Sequence, residues 1–470
     1  MPQHHDPYAA PDPLTDPLTG PWSEPPWTEP VWSEPSWSQP VDVEPAAVEL
    51  TTPVRPEADL PKVELHDDEI GMLEESLRLV EGQADRLMGH FYAALFLEAP
   101  HLRALFPVAM EGQRERFFRA LTGVVAHLRE PERLSVMLRH LGRDHRKFGA
   151  RTEDYDRVGR ALITALRTFG SDVWVPELDS AWVRAYDVMA RAMLAGAQEA
   201  AEHEPAWWRG EIVAHERRAP DLAVLVVRPD RPYDYTAGQF ASIETPYRPR
   251  SWRTYSMATA PSPDGLLEFH VRALDNGWVS GPLVWRAQVG DVLRLGAPQG
   301  DLRIDHDSRR DVLAIAGGTG LAPIKAMLDD MTKWNTSRHF TLFFGVRHTR
   351  ELYDMAALHR MSALNPWFTV VPVVSEDPMF TGEQGLVADA VARWGRWTEH
   401  DVIVCGSPPM TRATFDRLIS LGVPSERIRY DVVGDAHPAA AEVIDLRDHQ
   451  RGSSRRSASR SADGMGRRIR

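Results

Sequence analysis

Residues 316–323 read AGGTGLAP, between an apolar run (DVLAIAG) and a stretch of helical spacing (LAPIKAMLDDMTKW). Glycines at a strand-to-helix turn let backbone amides approach a pyrophosphate, and the helix N-terminus favours the anion. Gly317, Gly318, Thr319 and Gly320 are therefore a candidate dinucleotide cradle, with a plain structural turn as the alternative. RTYS (Arg253–Ser256) and NGWVSG (Asn276–Gly281) offer a second chemistry. Arg253 could pair with a phosphate, bidentate if suitably oriented. Tyr255 could stack on a flat ring and Ser256 hydrogen-bond it, while the Gly277 amide and Ser280 hydroxyl, flanking Val279, could hold further phosphate oxygens. Each taken singly is also ordinary β-sheet surface. GRDHRKFGARTEDY (142–155) places Phe148 three and Tyr155 ten residues beyond His145. Alone among 18 histidines, His145 reads as a core or surface residue, and His140 is its nearest rival as a metal ligand. Upstream stand Tyr92 in a helical stretch and Phe106 after a proline-bounded turn, then Gln113 and Phe117 one turn apart on one helix face.

These residues need elements to hold them. Over 66–203 the apolar spacing is helical: Leu87, Phe91, Ala94, Leu95; Val158, Leu162, Ala165, Leu166, Phe169; Trp182, Tyr186, Met189, Met193, Ala197. That pattern predicts amphipathic helices around one core. From 208 to 307 short β-rich runs punctuated by Pro, Gly and Asp predict an antiparallel barrel. Over 309–434 four strand-like runs alternate with helical ones, DVLAIAG, HFTLFFG, FTVVPVVS and DVIVCG preceding LAPIKAMLDDMTKW, RELYDMAALHRM, GLVADAVARW and PPMTRATFDRLISLG, which predicts a doubly wound parallel α/β domain. The expected fold class is thus multidomain: all-α, then antiparallel β-barrel, then doubly wound α/β.

Residues 1–62 and 435–470 read as disordered tails. The first repeats tryptophan every five residues (Trp22, Trp27, Trp32, Trp37) among prolines and acids, and the second is Arg/Ser-rich. A protein partner could dock on either, although solvated tails are the simpler reading. The net charge of −13 argues against general nucleic-acid or anionic-membrane binding. No apolar run approaches the ~18 residues of a membrane span. MPQHHDPYAAPDPL has neither a basic start nor an apolar core, so the expectation is no signal peptide and a cytoplasmic location. The single cysteine, Cys405, excludes an intramolecular disulfide and a cysteine-ligated cluster.

In the order YTAGQF, RTYS, GWVS, APQGDL, GGTGLAP, VCGSPPM, residues 208–434 resemble the ferredoxin–NADP reductase family. The resemblance implies that Arg253, Tyr255 and Ser256 bind the flavin and its phosphate, and that Gly277, Val279 and Ser280 bind the pyrophosphate. It gives Gly317, Gly318, Thr319 and Gly320 the nicotinamide dinucleotide, and puts Cys405 and Gly406 beside the nicotinamide. Residues 66–203 resemble the globin domain of flavohaemoglobins, which also carry a reductase after the globin. This implies a haem b cofactor with His145 as iron ligand, Tyr92 and Gln113 as distal donors, Phe106 wedging the haem, Phe117 as the bulky distal residue, and Tyr155 beside the ligand histidine.

The implied enzyme is a flavohaemoprotein oxidoreductase of nitric oxide dioxygenase type. Electrons pass from NADH or NADPH to FAD to haem, and dioxygen and nitric oxide are the substrates. Arg347 could accept a 2′-phosphate and Glu351 a ribose hydroxyl; the acids after Ser375 favour NADH. Two positions depart from the family. Ala197 stands where a proximal glutamate is usual, with Glu199 as a substitute if the helix shifts, and Val433 stands where an aromatic normally covers the flavin. The stretch between Phe106 and Gln113 is also three residues shorter than in the family. These departures motivate two alternatives: an atypical flavohaemoglobin with another donor or acceptor, and a haem-based sensor or binding protein.

Overall fold

The computed structural model describes residues 65–432 apart from Asn276 and Thr336. The tryptophan repeat, the Arg/Ser-rich tail and Val433 lie outside the described residues.

Six helices open this part: α1 (Asp67–Val80), α2 (Ala84–Glu98), α3 (Glu111–Ala126), α4 (Pro131–His145), α5 (Thr152–Phe169) and α6 (Pro176–Ala201). The apolar stripes turn inward. Leu87, Phe91 and Leu95 of α2, Leu162, Ala165 and Leu166 of α5, and Trp182 of α6 are all buried, and each large side chain so placed contributes about 1.5–3 kcal/mol. Two glycines set the tightest crossing. A Cβ on Gly142 of α4 would fall 1.8 Å from the Met193 carbonyl oxygen of α6, and one on Gly196 of α6 would fall 2.2 Å from the Arg139 carbonyl oxygen. Only residues without a side chain let these backbones meet, so α4 and α6 lie in direct main-chain contact.

The next sheet comprises β1 (Trp208–Ala219), β2 (Leu222–Pro229), β3 (Phe240–Glu244), β4 (Trp252–Ser256), β5 (Leu267–Arg272) and β6 (Val292–Leu295), with α7 (Ser280–Trp285) packed beside it. Its order is β4-β3-β6-β1-β2-β5, every pairing is antiparallel, and a Met257–Phe269 bridge joins the two ends. Alternation along the strands turns Ile212, Leu225, Ile243, Phe269 and Leu295 into one core.

The third unit alternates β7 (Val312–Gly317), α8 (Leu321–Trp334), β8 (Phe340–Val346), α9 (Met355–Leu364), β9 (Phe368–Val374), β10 (Glu383–Gln384), α10 (Val387–Trp394), β11 (Asp401–Gly406), α11 (Pro408–Ser420) and β12 (Ile428–Val432). The sheet runs β10-β9-β8-β7-β11-β12 and is parallel throughout. Strand order reverses between β7 and β11, which opens a crevice at their carboxyl ends. One element differs from expectation. RELYDMAALHRM does not run as one helix: a short turn spans Thr349–Glu351 and α9 begins only at Met355. Tyr353 and Asp354 hold the intervening chain out of the helix through their bonds across to the barrel. In the barrel, His270 Nδ1 lies 2.8 Å from the Tyr353 hydroxyl and Arg218 3.5 Å from the Asp354 carboxylate, which also lies 3.6 Å from Lys325 of α8. Among the described residues no helix is long and apolar enough to cross a membrane.

Candidate functional site

In the helical domain α2 buries Tyr92, and α3 brings Gln113 and Phe117 alongside it. The Tyr92 ring meets Phe106 edge-on at 5.3 Å and Phe117 at 6.1 Å, while Phe117 stacks on Phe91 at 4.8 Å. Pro100–Leu105 forms a tight turn that delivers Phe106 to this cluster. Burial pushes the Tyr92 hydroxyl up to about 12, with the Gln113 amide holding it down in part. Even so, the hydroxyl has no hydrogen bond of ordinary geometry. The Gln113 amide oxygen accepts from Arg116 at 3.1 Å. A buried, protonated, uncommitted phenol costs free energy unless a ligand accepts from it.

His145 is the last residue of α4. Its Nδ1 lies 2.8 Å from the Leu141 carbonyl oxygen, which can only accept. The proton is thereby placed on Nδ1 and the lone pair on Nε2, the state a metal requires. Burial lowers the His145 pKa and favours that neutral ring, although the Asp144 charge opposes the shift. His140, the rival ligand, is exposed. Among the described residues no cluster of three acidic, histidine or cysteine side chains could hold a metal by itself. One histidine with a free Nε2, an orphaned phenol and an apolar wall do fit a haem, which brings its own four nitrogens.

Tyr155 is largely buried and held at about 12 by that burial, and its carbonyl accepts from the Tyr186 hydroxyl at 2.6 Å. Gly159 makes room for the Tyr186 ring, which a Cβ there would meet at 2.5 Å. The proposed helix shift does not occur. Glu199 is exposed and faces Arg139 at 3.7 Å, so it supplies no carboxylate beside Tyr155. The main-chain contact at Gly196 fixes the register of α6 and with it this outcome.

In the reductase half a cleft of about 530 Å³ collects most of the sequence-derived set. Arg253, Tyr255, Ser256, Gly277, Val279, Ser280, Gly317, Gly318 and Thr319 all line it. Gly318 has φ +54° with open space where a Cβ would be. The Ser280 hydroxyl accepts from the Leu274 amide at 3.2 Å and keeps its own proton free to donate. Gly320, Cys405 and Gly406 lie beneath the cleft rather than on its wall. A Cβ on Gly320 would fall 2.2 Å from the Cys405 carbonyl oxygen, and those on Gly317 and Gly406 at 2.2 and 2.6 Å from Met410 Sδ. The Cys405 thiol is fully buried, which pushes its pKa well up.

Arg347 is exposed on the lining. Glu351 also lines the cleft, but its carboxylate lies 3.5 Å from Arg272. One carboxylate oxygen thus faces a cation, and the other keeps its capacity to accept from a ribose hydroxyl. Arg272, Trp278 and Met410 line the cleft too. Trp278 lies within GWVS and Met410 closes VCGSPPM, but the chemistry read from those motifs pointed to their neighbours, and Arg272 lies in none of them. Beside them Glu268 lies 2.9 Å from His270 Nε2 and 2.5 Å from Lys325 Nζ, tying β5 of the barrel to α8.

The globin family matches residues 89–193, the oxidoreductase FAD-binding domain 210–304 and the oxidoreductase NAD-binding domain 314–416. The flavohemoprotein of Bacillus subtilis is 25% identical over 407 residues, covering 81% of this chain and 100% of that one. The xylene/toluene monooxygenase electron transfer component of Pseudomonas putida is 36% identical over 226 residues, covering 47% of this chain; the chain spans 63% of that protein's length. A crystal structure of flavohemoglobin from Malassezia yamatoensis, with bound FAD and heme, superposes with TM-score 0.67 at 18% identity, over 79% of this chain and 100% of that one, and so shares the fold. A helical globin followed by a flavin barrel and a parallel nucleotide-binding sheet, matched over 81% of this chain by a flavohemoprotein that it spans in full, places the chain in the flavohaemoglobin family of oxidoreductases.

Proposed function

We propose that the protein is an NAD(P)H-dependent nitric oxide dioxygenase, oxidising nitric oxide to nitrate with dioxygen. The observation that supports it most is the Tyr92 hydroxyl: buried, held protonated at about 12, and without a hydrogen bond of ordinary geometry. Bound haem b would supply an iron centre for dioxygen, and bound FAD would divide a hydride's two electrons into single deliveries.

The residues provide the rest. His145, whose Nδ1 donates to the Leu141 carbonyl oxygen, would hold the iron through its remaining nitrogen. Phe106 and Phe117 exclude water, and Tyr92 with Gln113 donates to the oxygen side. Arg253, Tyr255, Ser256, Gly277, Val279 and Ser280 hold the flavin. Gly317, Gly318 and Thr319 cradle the dinucleotide, with Gly320, Cys405 and Gly406 shaping the turn beneath. NADH is the proposed donor, because acids follow Ser375 at the cleft's rim and Glu376 faces His348 at 3.7 Å. Purified protein carrying haem and FAD should consume NADH when nitric oxide is added aerobically and release nitrate in step with it. No nitric-oxide-dependent consumption of NADH or NADPH would sink the reading.

A second reading rests on the reductase half. Its similarity to an oxygenase electron-transfer component, together with the exposed position of Glu199, favours a chain that passes electrons to another acceptor. Haem reduction slower than reduction of an added one-electron acceptor would support it.

A further inference from the structure

Four charged residues bracket His145, and all four turn toward the flavin barrel or the linker leading into it. Arg143 grips Glu204 with two bonds of 2.6 and 2.7 Å and reaches the Pro298 carbonyl oxygen at 3.4 Å. Arg146 donates to the Glu204 carbonyl oxygen at 2.8 Å. Lys147 donates to Asp144 at 2.5 Å and to the Ser242 hydroxyl of β3 at 2.9 Å. Gln299 donates to the same Asp144 oxygen.

The pair at the centre is buried, with the Lys147 side chain 3% and the Asp144 side chain 4% exposed. Asp144 Oδ2 has no partner, so this carboxylate depends on Lys147 and Gln299 for its compensation. The barrel is shaped to admit the lysine. A Cβ on Gly296 would press on Lys147 Cδ at 3.2 Å. Lys147 Nζ also sits 5.1 Å from the Phe148 ring and 5.4 Å from the Trp252 ring. Those rings form a short aromatic line: His145 to Phe148 at 5.4 Å, then Phe148 to Trp252 at 6.3 Å. Trp252 directly precedes Arg253 on β4, the flavin strand.

We propose that Lys147 and Asp144 form a docking latch between the two halves, seating the His145 end of α4 on the flavin barrel so that electrons cross a fixed contact. Both are positioning residues. A single electron passes from the flavin side to the haem side, and no bond or proton changes at the latch. A buried pair does this better than an exposed one, because removing one member leaves an uncompensated charge that only undocking can hydrate. Docking is thereby coupled to the pairing itself.

The test uses the full chain with haem and FAD bound. In Lys147→Met, anaerobic stopped-flow with NADH should show flavin reduction within about twofold of the parent but haem reduction slowed about tenfold or more, as the docked population falls. Haem content and Soret position should stay unchanged. Calorimetry, on the cofactor-free chain as well, should show the globin and reductase transitions moving apart. The double variant Asp144→Asn with Lys147→Met should be slowed no more than Lys147→Met alone, since either change opens the same latch. Haem reduction unaffected in Lys147→Met, or slowed about tenfold further in the double variant as two independent effects would require, overturns the latch. The inference rests on His145 as iron ligand, and the two fail differently. A missing Soret band in the parent protein defeats that ligand assignment, and the calorimetric arm still decides the latch.

Discussion

The carbonyl oxygen of Leu141 lies 2.8 Å from Nδ1 of His145, one turn back along the same helix. The helix thus fixes the imidazole tautomer without help from any other element. His145→Ala should abolish the Soret band and leave flavin absorbance intact. A full Soret band in that variant would assign the iron to another ligand.

Tyr92 should act as a donor at any working pH. With its hydroxyl pushed up to about 12, no titration of this group occurs between pH 5 and 10. Tyr92→Phe removes one strong hydrogen bond to a partly charged oxygen, so dioxygen should dissociate about tenfold faster or more. Flash photolysis on the reduced protein measures this directly. An unchanged dissociation rate would remove Tyr92 from the distal site.

The crossing of α4 and α6 predicts a stability effect. Gly142→Ala would place a methyl 1.8 Å from the Met193 carbonyl oxygen, a backbone atom that cannot move alone. The loss should be at least about 1–3 kcal/mol. Gly71→Ala, where no atom lies within 4 Å of the new methyl, serves as the control and should be neutral or slightly stabilising. Denaturant unfolding of the pair decides it.

Glu268 carries a pH signature. Burial alone would raise its pKa, but the His270 bond and the Lys325 charge outweigh it and hold the carboxyl at about 2 against an ordinary 4.5. A depressed carboxylate stabilises the fold fully above its ordinary value, and the contribution is lost as pH falls through about 2. Glu268→Gln should therefore cost on the order of 3 kcal/mol at pH 7, and the gap to the parent should narrow below pH 4.5. A gap that stays constant from pH 7 to pH 3 would contradict this account.

Much of this architecture was legible in the sequence, because the relevant signals are local. Helical stripes such as Leu87, Phe91 and Leu95 record which face is buried, and GGTG records a turn between a strand and a helix. RTYS and GWVS each sit within one short segment, so their residues reach the same cleft together. What was not legible depends on pairs distant in sequence. Glu351 reads as a free acid until Arg272, on another domain, is placed 3.5 Å away. Glu199 reads as a possible partner of Tyr155 until the Gly196 contact fixes which way α6 faces. The late start of α9 follows from bonds that Tyr353 and Asp354 make to the barrel, which no local propensity encodes. Trp278 of GWVS and Met410 of VCGSPPM line the cleft, although those motifs pointed to their neighbours instead.

The bridge between Met257 and Phe269 brings the two ends of the barrel sheet together. An open sheet would present two rows of unpaired amides and carbonyls, each a template for a strand from another molecule. Here the two terminal strands face one another, and that template is largely withdrawn. Copies of this protein meeting at high concentration consequently find little foothold for strand addition at the flavin domain. Any assembly there must be built from side chains, which a sequence can tune residue by residue, rather than from backbone, which it cannot.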